Sequence, residues 1–119
     1  MIGTFDAPVN VRSIAYNHDE DHFYAGNWSS DISVFDKTGT LINTFSTGPS
    51  GSVYNGLAYD NVSSGGPYLW GYGSVNGSQN MLVQIQLPAG NETGVFIDIE
   101  ETLTGPIYGA AGGLFTHPN

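Results

Sequence analysis

Two stretches of this chain return further along in the same order, and that repetition constrains the fold more than any other feature. Ser13-Ile14-Ala15-Tyr16-Asn17 comes back as Gly56-Leu57-Ala58-Tyr59-Asp60, and Ile2-Gly3-Thr4-Phe5 comes back as Ile42-Asn43-Thr44-Phe45. The period is about 40 to 43 residues, the length of one supersecondary unit in a repeat protein. Between these anchors Phe23-Tyr24-Ala25-Gly26 is answered by Tyr68-Leu69-Trp70-Gly71. Ile32-Ser33-Val34-Phe35-Asp36 is answered by Met81-Leu82-Val83-Gln84-Ile85-Gln86 after a longer loop.

Each unit divides into short β-branched and aromatic runs about ten residues apart, the signature of strands joined by tight turns. The expected strands run from about Val11 to Tyr16, Phe23 to Asn27, Ile32 to Asp36 and Leu41 to Phe45. The second set runs from about Tyr54 to Tyr59, Tyr68 to Tyr72, Met81 to Leu87 and Val95 to Ile99. Helix is nearly excluded, because every window long enough for helical apolar spacing is broken by Gly, Pro or Asn. Seventeen glycines and 13% aromatic residues agree with many turns between aromatic-rich strands. Gly39 and Gly65 are expected at positive φ at turn tips, and Asn17 and Asp36 are expected to close local Asx turns. Pro8, Pro49 and Pro106 fall in the segments leading into a unit, where a missing N–H removes no ladder bond.

Four strands per 40 to 45 residues is the content of a propeller blade. The run Val11 to Tyr16, then Phe23 to Trp28, then Ile32-Ser33-Val34-Phe35-Asp36-Lys37-Thr38-Gly39, resembles the blades of bacterial NHL-like and streptogramin-lyase-like propellers and of other six- or seven-bladed propellers. The signatures of WD repeats and of sialidase Asp boxes are missing. The resemblance implies an all-β chain of four-stranded antiparallel blades: one of about 11 to 45, one of about 54 to 99, and a partial third of about 107 to 115. With Ile2 to Phe5 matching a fourth strand, the chain reads as out of phase with the blade, as a piece of a larger ring or a unit that other copies complete. Two blades cannot close a ring, and open strand edges invite pairing. A homo-oligomer formed through blade edges is therefore expected.

The resemblance also implies where a ligand would sit: on the face carrying the second-to-third-strand loops and the blade-to-blade connections. That face would present Asn27, Trp28, Asp31, Tyr54, Asn55, Tyr72 and Tyr108. Asn, Tyr and Trp stack on and hydrogen-bond to sugars and peptides, so a protein or glycan ligand fits such a surface. The competing reading makes Trp28 a plug between blades and gives the Asn and Ser residues to turns.

Chemistry finds little purchase elsewhere. Asn17-His18-Asp19-Glu20-Asp21-His22 is the densest set of metal-ligating types, but it lacks calcium-loop spacing and falls where the repeat demands a solvated hairpin turn. No nucleophile elbow or dinucleotide fingerprint is present. Paired carboxylates such as Asp98 with Glu100 or Glu101 read as solvated, and the three histidines fall outside the first strands that line a propeller channel. No catalytic residue, metal site or cofactor is assigned. A non-enzymatic binding or assembly scaffold is expected; the alternative is part of a propeller hydrolase or lyase whose catalytic residues lie partly in other blades.

Eleven Asp and Glu against Arg12 and Lys37 give a formal net charge of -9, which disfavours nucleic acid, since phosphates are neutralised by many basic side chains. The same surplus keeps a lysine-poor surface soluble. Apolar runs fall far short of the ~20 residues needed to cross a bilayer, so membrane insertion is not expected. No signal peptide is visible at Met1 to Thr4. The four Asn-x-Ser/Thr sequons at Asn27, Asn61, Asn76 and Asn91, with the acidity and the repeat, lean towards a secreted or cell-surface protein. There is no cysteine, so stability rests on packing or assembly.

Overall fold

The computed structural model describes residues 10–27, 31–46, 53–75 and 78–99. They form eight strands: β1 Ser13–Asn17, β2 His22–Gly26, β3 Asp31–Asp36, β4 Leu41–Ser46, β5 Val53–Asp60, β6 Tyr68–Val75, β7 Ser78–Gln86 and β8 Asn91–Asp98. They pair in sequence order into two antiparallel four-stranded sheets, β1 to β4 and β5 to β8. The described residues are all-β, and the eight strands expected within the two units are found. The flanking segments expected to act as partial strands, and Pro8, Pro49, Pro106 and His117, lie outside the described residues.

The turns form as their side chains dictate. Gly39 and Gly65 have φ of 89° and 85°. Asp36 Oδ1 accepts from the backbone N–H groups of Thr38 and Thr40 at 2.9 and 3.0 Å, closing the β3–β4 turn. Asn17 Oδ1 does the same for Asp19 and Glu20 in the β1–β2 turn, at 3.0 and 3.2 Å. Carboxyl and amide oxygens that meet two N–H groups stabilise a turn without help from the ladder.

Ladder registers relate the two sheets residue by residue. Ala15 pairs with Tyr24 and Tyr24 with Val34; Ala58 pairs with Trp70 and Trp70 with Gln84. Tyr24 therefore corresponds to Trp70, one position later than the sequence match of Tyr24 with Leu69 suggests. The same ladders match Ile14 with Leu57, Tyr16 with Tyr59, Phe23 with Leu69, Ile32 with Leu82 and Phe45 with Ile97. The slip matters because adjacent strand residues face opposite sides of a sheet.

The sheets stack face to face. The first contributes Ala15, Tyr24, Ile32, Val34 and Phe45 to the shared core, and the second contributes Tyr54, Leu57, Leu69, Val83 and Ile85. Leu57, corresponding to Ile14, is 2% exposed, and burying such a side chain contributes about 1.5–3 kcal/mol. β1 and β5 run side by side in the same direction. Near their starts Ser13 Oγ donates to the Tyr54 carbonyl at 3.1 Å; at the other end Tyr59 Oη of β5 donates to Asp19 Oδ2, just past β1, at 2.7 Å.

A bulge in β5 sets its inward face. Tyr54 pairs with Gly73 and Gly56 with Tyr72, leaving Asn55 as the extra residue. The extra residue shifts the alternation by one, so Tyr54 joins Leu57 against the first sheet. The Tyr54 ring lies over Gly71, where an added Cβ would sit 2.7 Å from its Cε1, and Tyr54 Oη reaches Glu92 Oε1 of β8 at 3.4 Å. At the outer strand of the first sheet, Phe45 packs on Gly90 of the β7–β8 turn, whose φ is 83°.

Candidate binding cleft between the sheets

At the end of the stack where the β1–β2, β5–β6 and β7–β8 turns meet, the sheets splay into a cleft of about 390 Å³. One wall is the β1–β2 turn with Asn17, Asp19 and Glu20, backed by Tyr24. The other carries Tyr59 and Asn61, and Pro67 and Pro88 close its floor. Period-two alternation places Tyr59 here, since it follows Leu57 on the inward face just as β5 ends.

The polar groups of the cleft hold one another. Asp19 Oδ2 accepts from Tyr59 Oη at 2.7 Å and from Asn61 Nδ2 at 2.8 Å. Asn61 Nδ2 also lies 3.3 Å from His18 Nε2, and the His18 and Tyr59 rings meet edge to face with centroids 5.6 Å apart. Asn17 Nδ2 donates to Tyr24 Oη at 3.2 Å beneath the turn. The hydrogen bonds from Tyr59 and Asn61 hold the Asp19 carboxyl below the usual carboxylate range. Burial, and then the Asp19 carboxylate it donates to, push the Tyr59 phenol well above its ordinary value. Tyr59 thus stays protonated and Asp19 ionised at neutral pH. The pair is a fixed donor and acceptor and not a proton-transfer couple. Such a cleft can recognise hydroxyl or cationic groups through its acidic, Tyr- and Asn-lined rim, with Pro and Leu side chains for apolar contact.

The dense run at the β1–β2 turn spreads its side chains among different partners. His18 and Asp19 turn towards Asn61, and His22 Nδ1 sits 3.5 Å from Glu20. Asp21 takes Tyr16 Oη and, at 3.3 Å, Lys37 Nζ. Among the described residues no three His, Asp or Glu side chains converge as a metal site would require.

Of the residues expected to bind ligand, the described ones lie towards the starts of β1 and β5, at the end of the stack away from the cleft, where Ser13 and Gly26 meet Tyr54. Trp28 and Tyr108 lie outside the described residues. Asn27 and Asp31 flank the β2–β3 connection, at the opposite end of the stack from the cleft because antiparallel strands alternate their turns between ends. Tyr54 is 1% exposed and belongs to the core, through the bulge at Asn55. Asn55 itself is half-buried, and its Oδ1 has no hydrogen-bond partner. Tyr72 is a mid-strand residue and no loop residue, since β6 runs on to Val75; its hydroxyl donates to Asn80 Oδ1 of β7. Of the cleft residues, Tyr59 was legible as part of the repeated strand end, Tyr16-Asn17 against Tyr59-Asp60, and Asn61 only as a sequon.

No family model matches this chain, and no curated protein matches it.

Proposed function

We propose that this chain is a pair of propeller-type blades that serves as a non-enzymatic scaffold, joined to further blades and offering the cleft at Asp19, Tyr59 and Asn61 to a protein or glycan ligand. The observation that carries this reading is the relation of β1 to β5. Two four-stranded sheets with matching registers stack with their first strands adjacent and pointing the same way, as neighbouring blades do around a propeller axis. A sandwich of two unrelated sheets has no reason to repeat an Asx turn, an aromatic partner for it and a Leu or Ile at the same register positions in both halves.

The polar network supports a binding role over catalysis, because Tyr59 and Asp19 are held in the forms that hydrogen-bond and are not poised to exchange protons with each other. Function lives in the site and not in the fold, so the ligand class follows from the rim chemistry alone.

A structure of the assembled protein tests the blade reading: further four-stranded sheets packed on the outer faces support it, and a free-standing two-sheet sandwich with solvated outer faces overturns it. For the cleft, glycan- and peptide-array screening of the wild type against Asn61→Ala and Tyr59→Phe is the direct measurement. Binders that both variants lose support the site; binders that both retain place recognition elsewhere.

A further inference from the structure

The wall of the cleft formed by the β1–β2 turn carries hydrogen-bonding groups that the protein leaves unused. Asn17 and Tyr24 line the cleft yet are only 2% and 3% exposed. Asn17 Nδ2 gives one hydrogen to Tyr24 Oη at 3.2 Å, and Asn17 Oδ1 is taken by the Asp19 and Glu20 N–H groups. Among the described residues nothing accepts the second Nδ2 hydrogen or the Tyr24 hydroxyl hydrogen. Burial keeps the Tyr24 phenol above its ordinary pKa, so that hydrogen is present at neutral pH. Buried donors without acceptors are rare and destabilising, and a group entering the cleft relieves both.

Unused acceptors stand on the same wall. Asp19 Oδ2 is filled by Tyr59 and Asn61, but Asp19 Oδ1 is 3.8 Å from His18 Nε2, too far for a hydrogen bond. Glu20 meets His22 Nδ1 through Oε2 at 3.5 Å, which leaves Oε1 for another donor. A ligand must therefore accept from Asn17 and Tyr24 and donate to Asp19 and Glu20. An ammonium or guanidinium group has no lone pair for the first two. An ionised carboxylate or sulfate has no hydrogen for the last two, whose charges also repel it. A hydroxyl group does both.

We propose, resting on the cleft reading above, that the cleft binds a neutral sugar: one ring hydroxyl accepts from Tyr24 and Asn17, its neighbour donates to Asp19, and the C–H face of the ring lies on Pro67, Leu87 and Pro88. A pyranose carries adjacent hydroxyls and an apolar face on one rigid body, so it meets the polar wall and the proline floor together with little loss of freedom. A peptide, which the cleft reading also admits, has to freeze separate groups into the same places. The volume of about 390 Å³ lies in the range of small-molecule sites.

The test is an array of neutral hexose and N-acetylhexosamine oligosaccharides with their sialylated and sulfated counterparts, followed by calorimetric titration of the best neutral binder and its monodeoxy analogues. Binding is expected for neutral members and not for charged ones. Tyr24→Phe is expected to weaken the best binder about ten-fold, the effect of one lost hydrogen bond. One deoxy analogue is expected to lose a similar factor in the wild type and nothing further in Tyr24→Phe, because both changes remove the same contact. An array with no binder, when peptides bind and are lost in Tyr59→Phe and Asn61→Ala, overturns the sugar and leaves the cleft reading standing. Preference for sialylated or sulfated members overturns it too, as do deoxy losses that add to that of Tyr24→Phe at every position. A protein that binds neither glycan nor peptide overturns both readings. Should Tyr24→Phe lose its cooperative melt, the wild-type deoxy series decides: a loss of about ten-fold at one or two adjacent positions supports the sugar, and equal affinity for every analogue overturns it.

Discussion

Asn17 and Asp60 hold the same position in the two sheets and make the same backbone contacts. Asp60 Oδ1 accepts from the N–H groups of Val62 and Ser63, both at 3.0 Å, as Asn17 Oδ1 accepts from those of Asp19 and Glu20. Each side chain is also tied to the matching aromatic residue of the second strand, Asn17 to Tyr24 and Asp60 to Trp70, whose indole N–H donates to Asp60 Oδ2 at 2.9 Å. The donors run in opposite senses: Asn17 gives its amide hydrogen to a phenol, and Asp60 receives one from an indole.

That reversal makes the pairs separately testable. Asp60→Ala is expected to cost about 2–3 kcal/mol, because Trp70, Ser63 and two backbone N–H groups lose a charged acceptor. Asp60→Asn keeps the turn but sets an amide N–H₂ against the indole N–H. Adding Trp70→Tyr rebuilds the Asn17–Tyr24 arrangement, so the double-mutant cycle should give a favourable coupling of about 0.5–2 kcal/mol. Urea midpoints of the four proteins measure it; additive effects would show that the two pairs are not equivalent.

Acid should remove the Asp60 contribution. Burial pushes the Asp60 carboxyl up, but the hydrogen bonds from Ser63, Trp70 and Val62 outweigh it and hold the carboxyl below its ordinary value. A depressed folded-state pKa adds stability that is complete above the unfolded carboxylate range and is lost as pH falls through the folded value. The melting temperature is therefore expected to drop from pH 5 towards pH 2 more steeply in the wild type than in Asp60→Asn. Parallel curves would assign the acid loss to other carboxylates.

Removing the Tyr59 hydroxyl should register at Asp19. In Tyr59→Phe the largest of the contacts that depress the Asp19 carboxyl is gone, and its pKa is expected to rise towards the ordinary value. Carboxyl carbon shifts followed through a pH titration report this directly. An unchanged Asp19 titration would mean that Asn61 alone holds it.

Close packing at Gly71 and Gly90 sets a steric test. Gly71→Ala drives a methyl group into the Tyr54 ring, and overpacking of this kind costs about 1–3 kcal/mol. Gly90→Ala meets the Phe45 ring and also forces a side chain onto a φ of 83°, so its loss is expected to be at least as large. Gly94, also at positive φ but with open space where its Cβ would lie, is the control: Gly94→Ala should show the backbone cost alone, about 1 kcal/mol. Chemical denaturation ranks the three, and equal losses would show that the rings yield.

The sequence by itself determined the number of strands, their order and the turns between them. Those depend on local chemistry: β-branched and aromatic runs, a glycine at a turn tip, an Asn or Asp whose oxygen meets the next N–H groups. The period from Ser13-Ile14-Ala15 to Gly56-Leu57-Ala58 exposed the two units for the same reason. Only the tertiary structure decided which side each residue faces. Asn55 inserts one residue into β5 and turns Tyr54 inward, and the ladders make Trp70, and not Leu69, the counterpart of Tyr24. Period-two alternation turns a one-residue shift into a change of face. The cleft follows from that: Tyr59 and Asn61 lie about 40 residues from Asp19 in the chain, and only the stacking of the two sheets brings their side chains into hydrogen-bond contact with it.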